Sequence, residues 1–393
     1  MTLVHRCLLA AVVVSLGLFA LAAEPGEHRP DVATPAPAPA PGEKPLIQLA
    51  LLLDTSNSMD GLIDQARSQL WTVVNHLART RKDGQTPRLE VALYEYGNDG
   101  LSRESGWVRQ VLAFTDDLDA VSEKLFALRT NGGEEYCGQV IQAALGDLKW
   151  STDAGVYKTI FIAGNESFEQ GPAGYSYICR SAVERGIIVN TIHCGAEQVG
   201  INGKWQDGAR LGGGKYMAIN SDRAIVAITA PQDAEIAKLS SKLNGTYVPF
   251  GARGADNAKR QEAQDAAAAT APAAAQAGAP YLRAQSKSSA MYRNGSWDLV
   301  DAVVNEKTVK LDDVKEADLP EAMRGMTPEQ RKAHVEAQAK ARTDIQEQIK
   351  SLSTEREKFI AEKRKDSAAG DANTLDSAIL GAVGEQLKSK KFE

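Results

Sequence analysis

Asp54-Thr-Ser-Asn-Ser58 sets one carboxylate and two hydroxyls at alternate positions of a short segment. That spacing lets Asp54, Ser56 and Ser58 point to one side of a loop. Carboxylate, hydroxyl and water oxygens are the donors a hard cation such as Mg²⁺ takes. Taken alone, the segment reads equally well as a helix cap, because Asp and Ser are favoured there. Its surroundings favour the ion. Leu46 to Leu53 is a nearly continuous apolar run, as in a strand buried on both faces of a parallel sheet, and Gly61 to Leu77 predicts a helix. Ligands of open α/β sheets bind just beyond the carboxyl ends of strands, and a helix N-terminus there also favours anions.

The elements that must position this loop follow in a strand-then-helix rhythm. Arg88 to Tyr96, Trp107 to Phe114, Lys158 to Ala163, Gly186 to His193 and Lys215 to Ile219 read as strands. Asp117 to Leu128, Cys137 to Leu148, Ala173 to Arg185 and Pro231 to Leu243 read as helices. This alternation predicts a doubly wound, mostly parallel α/β sheet. Two neighbouring strands without a helix between them, over Arg88 to Phe114, predict one antiparallel edge.

At this point a resemblance is visible. The Asp-x-Ser-x-Ser signature after the first strand resembles the metal-ion-dependent adhesion site of von Willebrand factor A domains. The resemblance implies two further loops. Thr130-Asn-Gly-Gly-Glu-Glu135 fits the first, with Glu134 where many members have Thr. Lys158-Thr-Ile-Phe-Ile-Ala-Gly-Asn-Glu166 fits the second, with Asn165 where the family usually has Asp. The implied ligand set is Asp54, Ser56, Ser58, Thr130, Glu134 and Asn165, with Glu134 favoured over Glu135 and Thr130 either a ligand or a shaper of the loop. The implied ion is Mg²⁺, or Mn²⁺ or Ca²⁺. The resemblance covers roughly residues 46–250. RTNGGEEYCGQ, FIAGNE and MRGMTPEQRKAHVEAQAKAR also look like a bacterial group of exported proteins with the same helical tail.

The ends of the chain read differently. Residues 1–23 read as a signal peptide: a polar start at His5 and Arg6, an apolar run from Leu8 to Leu21, then small residues before Glu24. Residues 24–45 are a Pro/Ala-rich spacer. Residues 251–289 are Ala-rich and of low complexity, and read as a second linker. Residues 290–393 read as helical. Thr327-Pro-Glu-Gln330 is a helix start. Val335, Ile345, Ile349, Leu352 and Phe359 fall on a heptad seam interrupted by Gln338, Arg342 and Arg356, a weak coiled-coil pattern. Leu375, Ile379, Val383 and Leu387 form a second stripe that would fold back on the long helix.

Composition narrows the function. Net charge is −6, so no basic excess supports nucleic-acid binding. Beyond Cys7 the chain carries Cys137, Cys179 and Cys194. An exported protein sits where disulfides persist, so a Cys137–Cys179 bridge and buried free thiols are both open readings. His193 beside Cys194 lacks a third group for a catalytic centre, and Gly212-Gly-Gly-Lys215 lacks phosphate-loop spacing. The expectation is a non-enzymatic, metal-dependent protein-binding module at the periplasm or cell surface. Its partner would supply a carboxylate to the ion, and its C-terminal helix could support an oligomer. The alternative is an envelope spacer or oligomerisation protein with a degenerate metal site.

Overall fold

The structure is a computed structural model and describes residues 44–222, 225–365 and 374–393, the side chains of 364 and 365 excepted. The expected signal peptide and nearly all of the Pro/Ala-rich spacer lie outside the described residues. Everything described falls within one compact unit.

The first strand, β1 (Leu46–Asp54), lies inside a six-stranded sheet. With β2 (Arg88–Tyr96), β3 (Val108–Thr115), β4 (Tyr157–Gly164), β5 (Ile188–Cys194) and β6 (Gly213–Ile219), the order is β3-β2-β1-β4-β5-β6. Every pair is parallel except β2–β3, so the antiparallel edge falls where the missing helix placed it. Successive side chains of β1 serve two cores. Leu49, Leu51 and Leu53 enter one, and Ala50 and Leu52 the other. That is why the run has no polar alternation.

One face of the sheet carries α1 (Asp60–Leu77) and α2 (Leu118–Ala127). The other carries α3 (Cys137–Asp147) and α4 (Tyr175–Glu184), with short α5 (Glu197–Asn202) and α6 (Trp205–Leu211) leading into β6. α7 (Asp233–Asn244) adds to the first face.

Residues 251–289 are not a linker. They form α8 (Gly254–Thr270), α9 (Pro272–Gln276) and α10 (Ala279–Lys287), packed against α1, α2 and α7. Alanine supplies strong helix propensity, and buried ion pairs dock the helices. The fully buried Arg283 donates to Asp119 (2.6 Å), to Asp265 (2.5 Å) and to the Gln261 carbonyl (2.9 Å). Lys287, also fully buried, donates to Asp265 at 2.9 Å.

The long helix α11 (Pro328–Lys365) begins where expected, with Thr327 and Gln330 exchanging backbone N–H bonds at 3.3 and 2.9 Å. Its seam does not await another chain. Val335 and Ile349 are buried within the protein's own cores. Arg342, one of the residues that interrupt the heptads, donates to Asp298 (2.7 Å), Asp301 (3.0 Å) and the Thr246 carbonyl (2.8 Å). Arg356 donates to Asp233 at 2.6 Å. Two of the three polar interruptions, Arg342 and Arg356, are therefore docking contacts within the chain.

The last helix, α12 (Leu375–Ser389), buries Leu375, Ile379, Val383 and Leu387 against α1, β5 and β6 rather than folding back on α11. Gln65 of α1 accepts the Leu375 N–H (2.9 Å) and donates to the Asn220 and Ser221 carbonyls (2.8 and 2.9 Å). At the opposite sheet edge, Arg81 and Glu393 exchange a pair of backbone hydrogen bonds, each 2.7 Å. Lys44, leading into β1, enters at that same edge.

Candidate metal centre

Asp54 is the last residue of β1 and is wholly buried. Its Oδ1 accepts the Ser56 N–H at 2.8 Å, and the Asn165 backbone N–H also supports the carboxylate. Its Oδ2 has no protein partner. Two glycines make the seat. A Cβ at Gly164, ending β4, would lie 2.4 Å from the Tyr96 hydroxyl and 3.0 Å from Asp54 Oδ2. A Cβ at Gly97, just past β2, would lie 2.8 Å from Asp54 Oδ1 and 2.7 Å from Glu135 Cγ. Gly97 also has φ +78°, a left-handed conformation natural to glycine. Tyr96 is fixed beside them by donating to the Ala163 carbonyl at 3.0 Å.

The Ser56 and Ser58 hydroxyls lie 3.3 Å apart, Ser56 buried and Ser58 exposed. The expected alternate spacing thus brings Asp54, Ser56 and Ser58 to one side of the loop. The 130–135 loop is held by Asn131 N–H on the Thr55 carbonyl (2.9 Å) and by close backbone contact of Gly133 with Gly97, whose carbonyl a Cβ would meet at 2.5 Å. Its Thr130 hydroxyl donates to Asp60 at the start of α1, so Thr130 shapes the loop.

The favoured carboxylate requires a correction. Glu134 is exposed, whereas Glu135 is 8% exposed and lies beside Asp54 and Ser56. The backbone contacts at Asn131 and Gly133 fix which of the two side chains faces inward. Asn165, the departure from the usual Asp, follows Gly164 directly, and its Oδ1 is buried without a partner.

Electrostatics match a set of donors gathered for a cation. Burial pushes Asp54 up to about 7 in spite of the hydrogen bonds from Ser56 and Asn165. Burial, then the Asp54 charge, pushes Glu135 up to about 8. Two carboxylates that resist ionising side by side gain most from a positive charge between them. The unpartnered Asp54 Oδ2 and Asn165 Oδ1 are oxygens of the kind Mg²⁺, Mn²⁺ or Ca²⁺ takes, and the residues fit such an ion. Among the described residues no group of three or more His, Cys, Asp and Glu is arranged for a metal. The donors here are two inward carboxylates completed by hydroxyl and amide oxygens.

Glu135, Gly97, Gly164 and Tyr96 were not singled out from sequence as parts of the site. The glycines carried a readable signal, since each sits at the carboxyl end of a strand next to the loops the resemblance named.

Among the described residues, Cys137, Cys179 and Cys194 are free and buried, and no Cys137–Cys179 bridge is formed. Cys137 Sγ instead lies 3.7 Å from the Tyr96 hydroxyl. Burial pushes all three thiols up, Cys179 to about 12. His193 is buried against Trp205, ring centroids 5.7 Å apart. Gly213 begins β6 with φ +65°, so the glycine run is a turn into a strand.

Strand order, the single antiparallel edge and the Asp54-to-Ser58 loop at the carboxyl end of β1 define the class: a doubly wound, mostly parallel α/β domain with a helical C-terminal region, the fold expected from the resemblance to von Willebrand factor A domains. No family model matches the chain, and no curated protein matches it. Solved structures with a similar fold include the conserved hypothetical protein BatB from Bacteroides thetaiotaomicron, at 17% identity and TM-score 0.34, with 44% of this chain and 90% of that one covered. The SpRpn10 VWA domain is similar at 14% identity and TM-score 0.34, covering 44% and 88%. Proximal thread matrix protein 1 from the mussel byssus, with a zinc-occupied MIDAS motif, is similar at 9% identity and TM-score 0.32, covering 46% and 43%.

Proposed function

We propose that this protein is a non-catalytic binding module in which a divalent cation, held at the carboxyl end of β1, bridges to a carboxylate of a protein partner. Asp54, Ser56 and Ser58 would hold the ion, with Asn165 and Glu135 directly or through water. The ion would supply the positive charge that draws in the partner's carboxylate. The chain's own residues fix the ring of oxygens, leave the outer side open at exposed Ser58 and neutralise the charge. The observation that carries this reading is the buried, unpartnered Asp54 Oδ2 in a seat between two glycine strand ends, with Asn165, whose Oδ1 is also buried without a partner, directly after Gly164. Buried polar atoms are usually satisfied, and of the buried side-chain atoms without a partner among the described residues, Asp54 Oδ2 is the one held at the carboxyl end of β1.

Export to the periplasm or cell surface belongs to the same proposal and is supported by the apolar run near the N-terminus. Among the described residues no helix is long and apolar enough to cross a membrane. Calorimetric titration of the full chain with Mg²⁺, Mn²⁺, Ca²⁺ and Zn²⁺ tests the reading. Binding by wild type and its loss in Asp54→Ala, with the variant still folded, is the expected result. No heat and no thermal shift with any of these ions would sink it.

A further inference from the structure

The sheet edge that carries the candidate centre is ringed by exposed carboxylates. Asp60 opens α1 and receives the Thr130 hydroxyl. Asp99 lies just past Gly97, its N–H bonded to the Gly132 carbonyl. Glu134 precedes the inward Glu135, and Glu166 follows Asn165. Among the described residues none of these four carboxylates forms an ion pair, and nearby Arg67 pairs with Asp64 at 3.0 Å. Arg129 turns back to donate to the Phe126 and Leu128 carbonyls (2.9 and 2.7 Å), and Arg103 lies over the Trp107 ring, 6.0 Å from its centroid. Inside the ring lies the unpartnered Asp54 Oδ2, seated between Gly97 and Gly164. A divalent ion balances Asp54 and Glu135 once both are ionised, which leaves the outer ring with its full negative charge.

A partner that is acidic around its coordinating carboxylate would meet like charges here, which slows encounter and disfavours docking. We propose that the partner presents its coordinating carboxylate from a basic segment, whose Lys or Arg side chains pair with Asp60, Asp99, Glu134 and Glu166 while the carboxylate reaches the ion. This rests on the metal-site reading and adds the chemistry of the partner to it. Because the ring is exposed, these pairings are screened by salt.

Fluorescence anisotropy with the full chain and three labelled peptides of equal length tests the proposal. One peptide places a single Asp among lysines, one places it among glutamates, and one keeps the lysines but replaces Asp with Asn. With Mg²⁺ present, the lysine-flanked Asp peptide should bind at least about tenfold more tightly than either other peptide. Its advantage over the glutamate peptide should shrink in high salt and in an Asp99→Asn variant. Calorimetric Mg²⁺ affinity of that variant should stay at the wild-type level. Equal or tighter binding of the glutamate-flanked peptide, with Mg²⁺ binding intact, overturns the basic partner and leaves the metal site standing. Equal binding of the Asn peptide overturns the anchoring of the partner through the ion. Absence of Mg²⁺ binding overturns the metal-site reading itself.

Discussion

Asn165 is the residue on which ion affinity turns. Its backbone N–H supports the Asp54 carboxylate, and its amide oxygen is buried and unpartnered. Asn165→Asp would put a third carboxylate among the donors. Divalent-ion affinity should rise about tenfold or more, since ligand charge count tunes such sites. The metal-free protein should lose stability through added repulsion, and calorimetry with thermal melts checks both effects. The titration of the native pair has a definite sign. Asp54 and Glu135 have folded pKa values near 7 and 8, above their ordinary 3.8 and 4.5. Between pH 4 and 8 the native state therefore holds more protons than the unfolded state, so stability falls as pH rises. Metal-free protein should melt at higher temperature at pH 5 than at pH 8. Saturating Mg²⁺ should reduce or reverse that trend, because the ion favours the ionised pair. Which acid of Glu134-Glu135 faces inward was not legible in the sequence. Irregular loops have no period, and the choice is made by backbone contacts to Thr55 and Gly97.

At the scale of elements, strand ends do the positioning. β1 and β4 pair in register from Ile47 with Tyr157 to Leu53 with Ala163, which brings Gly164 alongside Asp54. Gly164→Ala would place a methyl 2.4 Å from the Tyr96 hydroxyl and 3.0 Å from Asp54 Oδ2. Destabilisation of about 1–3 kcal/mol is expected from overpacking, with a larger proportional loss of ion affinity. Comparing the melt of the metal-free variant with its titration isotherm separates the two. The strands themselves were readable, because an unbroken apolar run signals burial on both faces and two adjacent strands without a helix signal an antiparallel edge. The helices at 254–287 were not. Alanine repeats support either a helix or a low-complexity spacer, and the deciding contacts are remote. Arg283 finds Asp119 across 164 positions, and Arg342 finds Thr246 across 96. For the same reason, polar breaks in the α11 heptads read as a poor coiled coil instead of a good docking face.

For the whole molecule, the domain and its C-terminal helices are one folding unit. α12 covers apolar surface of α1 and the sheet, and α10 covers more of α1. A fragment ending at residue 250 would expose Trp71 and Val74 of α1, which the full chain buries. It should aggregate or unfold without a cooperative transition, whereas the full chain melts in one step; circular dichroism and light scattering decide this. Arg283→Ala should cost about 3–5 kcal/mol, because Asp119 would be left buried without its counter-ion, while Asp265 keeps Lys287. Denaturant unfolding of the full chain measures it.

The chain reaches β1 through Lys44 at the edge of the sheet where Arg81 and Glu393 are stitched together, a full strand away from Asp54. Nine residues of strand span roughly 30 Å. A support coupled at Lys44 itself would therefore hold the protein like a cup by its stem, with the open rim turned outward.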